Sequence, residues 1–261
     1  TPKPSSAASD VYKRQEQGAG PVLMASRHLA RVAESADDYR RVYREVLSSA
    51  TVPVVLHWLG TAFDPELAGY FGADDWQTAS AVLLDIIAEQ PDKVAGVKMS
   101  LLNAESEISV REQLPQGVRM FTGDDFNYVG LIGGDTVGQG DGHSDALLGA
   151  FAAITPVASA AIQALDAGAP ARYLEILGPT EDLSRQVFAA PTFYYKTGVA
   201  FLSWLNGHQP AFQMVGGLHS ARSLPHLSRI VELANASLAL EKPELARERW
   251  HGMLRLNGVD A

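Results

Sequence analysis

An α/β fold built on a parallel sheet, followed by an all-helical segment, is what the sequence predicts, and three observations predict it. From Gly20 onward, short apolar runs alternate with amphipathic stretches, the order that makes right-handed βαβ units. The runs are nearly continuous in apolar residues, as expected of strands covered on both faces. Beyond about Gly142 the short runs stop and only the three-and-four spacing of helices continues.

The first strand is read in Pro21-Val22-Leu23-Met24-Ala25-Ser26. A helix over residues 36–48 follows, with Tyr39, Val42, Tyr43, Val46 and Leu47 on one face. The run Val52-Pro53-Val54-Val55-Leu56-His57-Trp58 is the second strand. After a loop containing Phe63-Asp64-Pro65, residues 76–89 read as a helix with Ala79, Val82, Leu83, Ile86 and Ile87 on one side. Val94-Ala95-Gly96-Val97-Lys98-Met99 is the third strand, followed by a short polar helix around 104–113. The fourth, Gly117-Val118-Arg119-Met120-Phe121-Thr122, leads into Asp124-Asp125 and a helix through Ile132. A fifth strand is placed around residues 135–140, and helices over 144–165, 171–188, 192–205, 219–239 and 243–256. Four or five strands are too few to close an eight-stranded barrel.

A chain of 261 residues, 46% hydrophobic and 20% charged, suits one large α/β domain. No apolar run approaches the roughly 20 residues of a membrane span, and no signal-peptide pattern opens the chain. With no Cys there is neither a disulfide framework nor a thiolate metal site. A net charge of −9 without a clustered basic stripe argues against a nucleic-acid partner and fits a cytoplasmic enzyme. Residues 1–19 stand apart: Thr1 to Ser9 is rich in Pro, Ser and Ala, and Asp10-Val11-Tyr12-Lys13-Arg14-Gln15 resembles a translated transposon end. The expectation is an assembly artefact over about the first fifteen residues, with the natural protein extending upstream. The competing expectation is a disordered leader.

In parallel α/β folds chemistry gathers at the C-terminal ends of the strands. The polar residues there are Ser26 and Arg27, His57, Lys98, and Asp124 and Asp125. Lys98 interrupts an apolar stretch, and a desolvated lysine loses pKa and becomes a nucleophilic amine. It could equally pair a carboxylate or bind a substrate anion. His57 could be a general acid/base, a metal ligand or a hydrogen-bonded structural residue. Of Asp124 and Asp125, one is expected to cap the following helix and the other to face a ligand. His143-Ser144-Asp145 reads as a helix start. The glycines from Gly133 to Gly142 form a loop without a nucleotide fingerprint.

This series of strand ends, with an acid/base residue, then an inward lysine, then Gly-Asp-Asp, resembles the dihydrodipicolinate synthase and N-acetylneuraminate lyase superfamily. Leu23-Met24-Ala25-Ser26-Arg27, Leu56-His57-Trp58-Leu59-Gly60, Thr122-Gly123-Asp124-Asp125-Phe126-Asn127-Tyr128 and Trp204-Leu205-Asn206-Gly207-His208-Gln209 resemble more closely an uncharacterised bacterial branch labelled dihydrodipicolinate synthase-like. The resemblance covers nearly everything after Gly18. It implies a (β/α)8 TIM barrel of the class I aldolase type, incomplete here, with strands four to eight visible. Implied divisions are a leader at 1–19, the barrel half at 20–166 and a helical extension at 167–261 packing on the barrel. Lys98 then takes the place of the Schiff-base lysine on the sixth strand, and His57 that of a proton-relaying tyrosine closing the fifth. Gly123, with Asp125, takes the place of the substrate-contacting loop after the seventh. Histidine for tyrosine lowers the ordinary pKa of the relay from about 10 to about 6.5. The arginine that accompanies synthase chemistry has no counterpart in Thr61-Ala62-Phe63.

The leading expectation is therefore a class I lyase or aldolase acting on a 2-oxo acid or sugar-acid derivative, with Lys98 and His57 catalytic and Gly123, Asp124, Asp125, Ser26 and Arg27 binding substrate. It needs no metal and no cofactor. The alternatives are a divalent-metal sugar isomerase or class II aldolase using His57, Asp124 or Asp125, and His143, or a non-catalytic binding barrel. The full-length protein is expected to be a homo-oligomer, and this chain alone to aggregate through an open sheet edge. The late aromatics Phe193, Tyr194, Phe201, Trp204 and Phe212 are expected to pack against the barrel wall.

Overall fold

The computed structural model describes residues 20–260, and the expectation for residues 1–19 lies outside the described residues. The chain divides into two compact units between Leu147 and Leu148.

The first unit holds one sheet: β1 (Val22–Met24), β2 (Val54–Leu59), β3 (Val94–Ser100), β4 (Arg119–Thr122) and β5 (Asp145–Ala146). All four pairings are parallel, and the spatial order equals the chain order. Because parallel crossovers are right-handed, strands laid down in one direction put every connecting helix on the same face. That is the winding of a (β/α) barrel and not of a doubly wound sheet, whose strand order reverses. The helices are α1 (Arg27–Val32), α2 (Ala36–Ser48), α3 (Trp76–Glu89), α4 (Ala104–Arg111) and α5 (Tyr128–Gly133). Side chains along a strand alternate between faces. Leu56 and Trp58 of β2, Val97 and Met99 of β3, and Met120 of β4 join Leu47, Leu83 and Ile87 in the core. The other face of the same strands carries Val55, His57, Gly96, Lys98, Ser100, Arg119 and Phe121.

Two expectations are corrected here. The fifth strand is not at 135–140, where the chain makes a 3-10 turn at Gly134–Val137. Gly134, Gly138, Gly140 and Gly142 all have positive φ, which bends the chain out of any extended run. The strand forms at Asp145–Ala146, inside the stretch read as a helix, and two residues are too few to leave a periodic signal.

The second unit is helical: α6 (Thr155–Asp166), α7 (Pro170–Leu177), α8 (Thr180–Val187), α9 (Tyr195–Leu205), α10 (Leu224–Ala236) and α11 (Pro243–Leu256). The helix expected at 171–188 is two, because Pro179 supplies no N–H at the junction and the chain re-enters as α8. The one at 219–239 starts late, after a 3-10 segment in which Gly216 and Gly217 have positive φ. Within this unit Phe201 is fully buried and meets Trp204, Phe212 and Trp250 at centroid distances of 6.0, 5.3 and 5.8 Å.

Candidate active site

The parallel register sets Met24, His57, Lys98, Phe121 and Asp145 side by side across the five strands. In-register neighbours share a face, so this row crosses the face that carries no core helix. It is open at the β1 end, where Val22 and Met24 are 45% and 49% exposed.

His57 is buried. Its Nε2 lies 2.9 Å from Ser100 Oγ and its Nδ1 2.9 Å from Met24 Sδ. Burial, with the nearby Lys98 charge adding to it, pushes the imidazole down to about 3. At neutral pH His57 is therefore uncharged, and the hydroxyl and thioether settle which nitrogen carries its proton. Lys98 is half-buried, and burial lowers its amine below the ordinary lysine value while the Asp125 carboxylate pulls the other way.

Two glycines make room for this group. A Cβ on Gly123 would stand 2.1 Å from Ser100 Oγ, 2.7 Å from the Met99 carbonyl and 2.8 Å from Lys98 Cε. The β3 and β4 ends are held at that distance by the Gly123 N–H, which donates to the Met99 carbonyl at 2.7 Å. A Cβ on Gly96 would meet the Phe121 ring at 2.5 Å, so that ring covers the strand beneath Lys98. Arg119 and Asp145, on the same face, pair at 2.6 Å, and the Arg119 guanidinium sits 5.2 Å from the Phe121 ring centre.

The two aspartates have different surroundings. Asp124 Oδ1 accepts from the Phe126 and Asn127 amides at 2.7 and 3.0 Å, and its Oδ2 from the Asn127 side chain at 2.8 Å. It caps the turn into α5. Asp125, also buried, is the carboxylate that acts on Lys98. Ser26 and Arg27 are engaged within the chain: the Ser26 hydroxyl caps α1 at the Leu29 amide, and Arg27 pairs with Asp64 at 2.6 Å and Glu66 at 3.0 Å. His143 is exposed, and among the described residues no three His, Cys, Asp or Glu side chains gather to hold a metal ion. The metal-dependent alternative thus lacks its ligand set among the described residues.

Two polar residues here were not singled out in the sequence. Ser100 follows Lys98 by two, and strand alternation alone puts it on the same face. Glu107 on α4 is 1% exposed, and burial, with Asp124 adding to it, pushes its carboxyl up to about 8. Among the described residues neither of its oxygens makes a well-formed hydrogen bond, although the Ser144 and Thr122 hydroxyls and Arg111 lie near enough to oppose the shift. No periodic or motif signal marks it, since a buried acid looks like any surface glutamate of a short polar helix.

A family model described as "Protein of unknown function (DUF993)" matches residues 6–259. No curated protein matches the chain. Among solved structures, dihydrodipicolinate synthase from Thermotoga maritima is similar with a TM-score of 0.63 at 14% identity, over 89% of this chain and 71% of that one. A candidate dihydrodipicolinate synthetase from Pseudomonas aeruginosa gives 0.62 at 16% identity, over 88% and 71%. At these identities the likeness is one of fold, and it agrees with the barrel-type winding of the sheet. No helix among the described residues is long and apolar enough to cross a membrane.

Proposed function

We propose, for a chain that belongs to the DUF993 family of proteins of unknown function, that it acts as a class I aldolase-type lyase on a 2-oxo acid or sugar-acid derivative. In this proposal Lys98 forms the imine, and β1 to β5 serve as strands four to eight of a barrel. The open row at Val22 and Met24 supports that, because a closed barrel would cover it. The observation that carries the activity is the Lys98 amine: partly desolvated, backed by Gly123 and set beside a neutral histidine.

The chemistry balances without any other group. The unprotonated Lys98 amine adds to the 2-oxo carbon, and loss of water leaves a protonated imine that draws electrons from the neighbouring carbon. Cleavage of the next C–C bond needs a base for the hydroxyl proton of the departing fragment. Neutral His57, joined to the Ser100 hydroxyl, can accept that proton as the bond breaks to an aldehyde and an enamine and return it to the enamine carbon, after which water hydrolyses the imine and frees the lysine. Asp125 keeps a counter-charge beside the iminium. Dihydrodipicolinate synthesis itself is not proposed, since Thr61-Ala62-Phe63 lacks the arginine that accompanies it in the superfamily that this chain resembles.

The test is borohydride reduction in the presence of pyruvate and a panel of longer 2-oxo and sugar acids, followed by peptide mass mapping. The expected result is one reduced adduct, on Lys98. No adduct across the panel, or adducts spread over surface lysines, would overturn the proposal.

A further inference from the structure

The helical unit contains a cleft of about 1040 Å³ between α9, the 206–223 segment, α10 and α11. Three arginines line it: Arg222, Arg249 and Arg255. Elsewhere in this acidic chain nine arginines have a carboxylate partner. These three have none among the described residues. Arg222 donates only to the carbonyls of Ala189, Ala190 and Pro191, and Arg249 to those of Trp204 and Gln209. Carbonyls fix a guanidinium in place without cancelling its charge. Arg255 is exposed, and its guanidinium has neither a hydrogen bond nor an ion pair among the described residues. The single carboxylate on the lining is Glu248. Two buried nitrogens on lining residues, Arg222 Nε and His219 Nδ1, also lack a partner among the described residues.

The same wall is aromatic. Trp204 and Phe212 lie nearly parallel, 21° apart with centroids at 6.0 Å, and Arg249 sits 5.6 Å from the Trp204 ring centre. Guanidinium groups read carboxylate and phosphate oxygens in pairs, and flat aromatic faces take flat ligands. We propose that this cleft binds a small organic anion with a planar aromatic body, its charged end on Arg222 and Arg255 and its ring against Trp204 and Phe212. The cleft is lined by residues of the helical unit alone, and binding there does not depend on the imine chemistry.

Calorimetric titration of the full chain with phenyl phosphate and benzoate tests this, with inorganic phosphate and benzyl alcohol as the bare anion and the neutral ring. Expected is saturable single-site binding of the aromatic anions, weakened by salt and weaker for either half-ligand. Arg255→Gln changes an exposed side chain without partners, so the fold should be kept, as circular dichroism would check. Loss of its charged contact should weaken binding about tenfold. Absence of saturable binding at millimolar concentrations, or affinity unchanged in Arg255→Gln, would overturn the proposal. So would self-association seen by sedimentation, abolished by Leu256→Asp, in a protein that binds none of the anions: the cleft would then be an interface between copies.

Discussion

The two faces of β2 and β3 are made from the same thirteen residues and obey opposite rules. On one face Leu56, Trp58, Val97 and Met99 are at most 5% exposed and locked into the helix layer. On the other, one residue along in each case, stand His57, Lys98 and Ser100, linked by hydrogen bonding and charge, with Gly123 leaving room for the last two. Stability is concentrated on the first face and chemistry on the second, and substitutions on the two should therefore separate folding from adduct formation. The largest expected effect is on the chemical face. Lys98→Met removes the amine while keeping an unbranched side chain of similar length, and borohydride trapping should disappear while the unfolding midpoint stays near or above that of the parent. An adduct of undiminished yield in that variant would move the chemistry to another lysine.

Gly123→Ala comes next. The added methyl would overlap Ser100 Oγ, the Met99 carbonyl and Lys98 Cε, two of which belong to side chains of the chemical face. Displacement of a reacting group by about 1 Å can cost about 100-fold, and the trapping rate should fall on that order. A trapping rate equal to that of the parent would mean that the amine is not held by this contact.

The converse pair tests the packed face. Met99 is 1% exposed, and Met99→Ala should cost about 2–5 kcal/mol in urea unfolding while Lys98 can still be trapped. Ser100→Ala removes one hydrogen bond to His57 and should cost only about 1 kcal/mol, yet slow trapping if the hydroxyl and imidazole act together. Equal stability losses in the two variants would erase the distinction between the faces.

The packed face was also the legible one. Apolar continuity in Val54 to Trp58 and Val94 to Met99 was enough to place β2 and β3, because burial on that face tolerates little else. Lys98 and His57 stood out as polar breaks in those runs, and the Gly-Asp-Asp turn followed from cap chemistry. Residues whose roles depend on distant partners did not stand out. Arg27 sits at a strand end, where a ligand contact was expected, but Asp64 and Glu66 come back to it across 37 and 39 residues of chain. The strand at Asp145–Ala146 exists only because β4 is there to pair with it. Glu107 is made unusual chiefly by burial, which no local pattern records.

That residue and His57 give an effect of pH with a worked sign. The folded His57 value, about 3, lies below its ordinary 6.5, so its contribution to stability is present above pH 6.5 and is lost as pH falls toward 3. The folded Glu107 value, about 8, lies above its ordinary 4.5, so its contribution is present below pH 4.5 and is lost as pH rises through 8. Between 4.5 and 6.5 the two slopes oppose each other and cancel. Outside that window each is worth about 1.4 kcal/mol per pH unit for its one proton. Urea unfolding across pH should therefore show Glu107→Gln removing a decline between 6.5 and 8, and His57→Gln removing one between 4.5 and 3. The difference between variant and parent isolates each group from the other carboxylates and histidines of the chain. A Glu107→Gln difference curve flat from pH 5 to 8 would mean that the acid behind β4 is ionised like a surface glutamate, and that the helix-side face is not as dry as its packing implies.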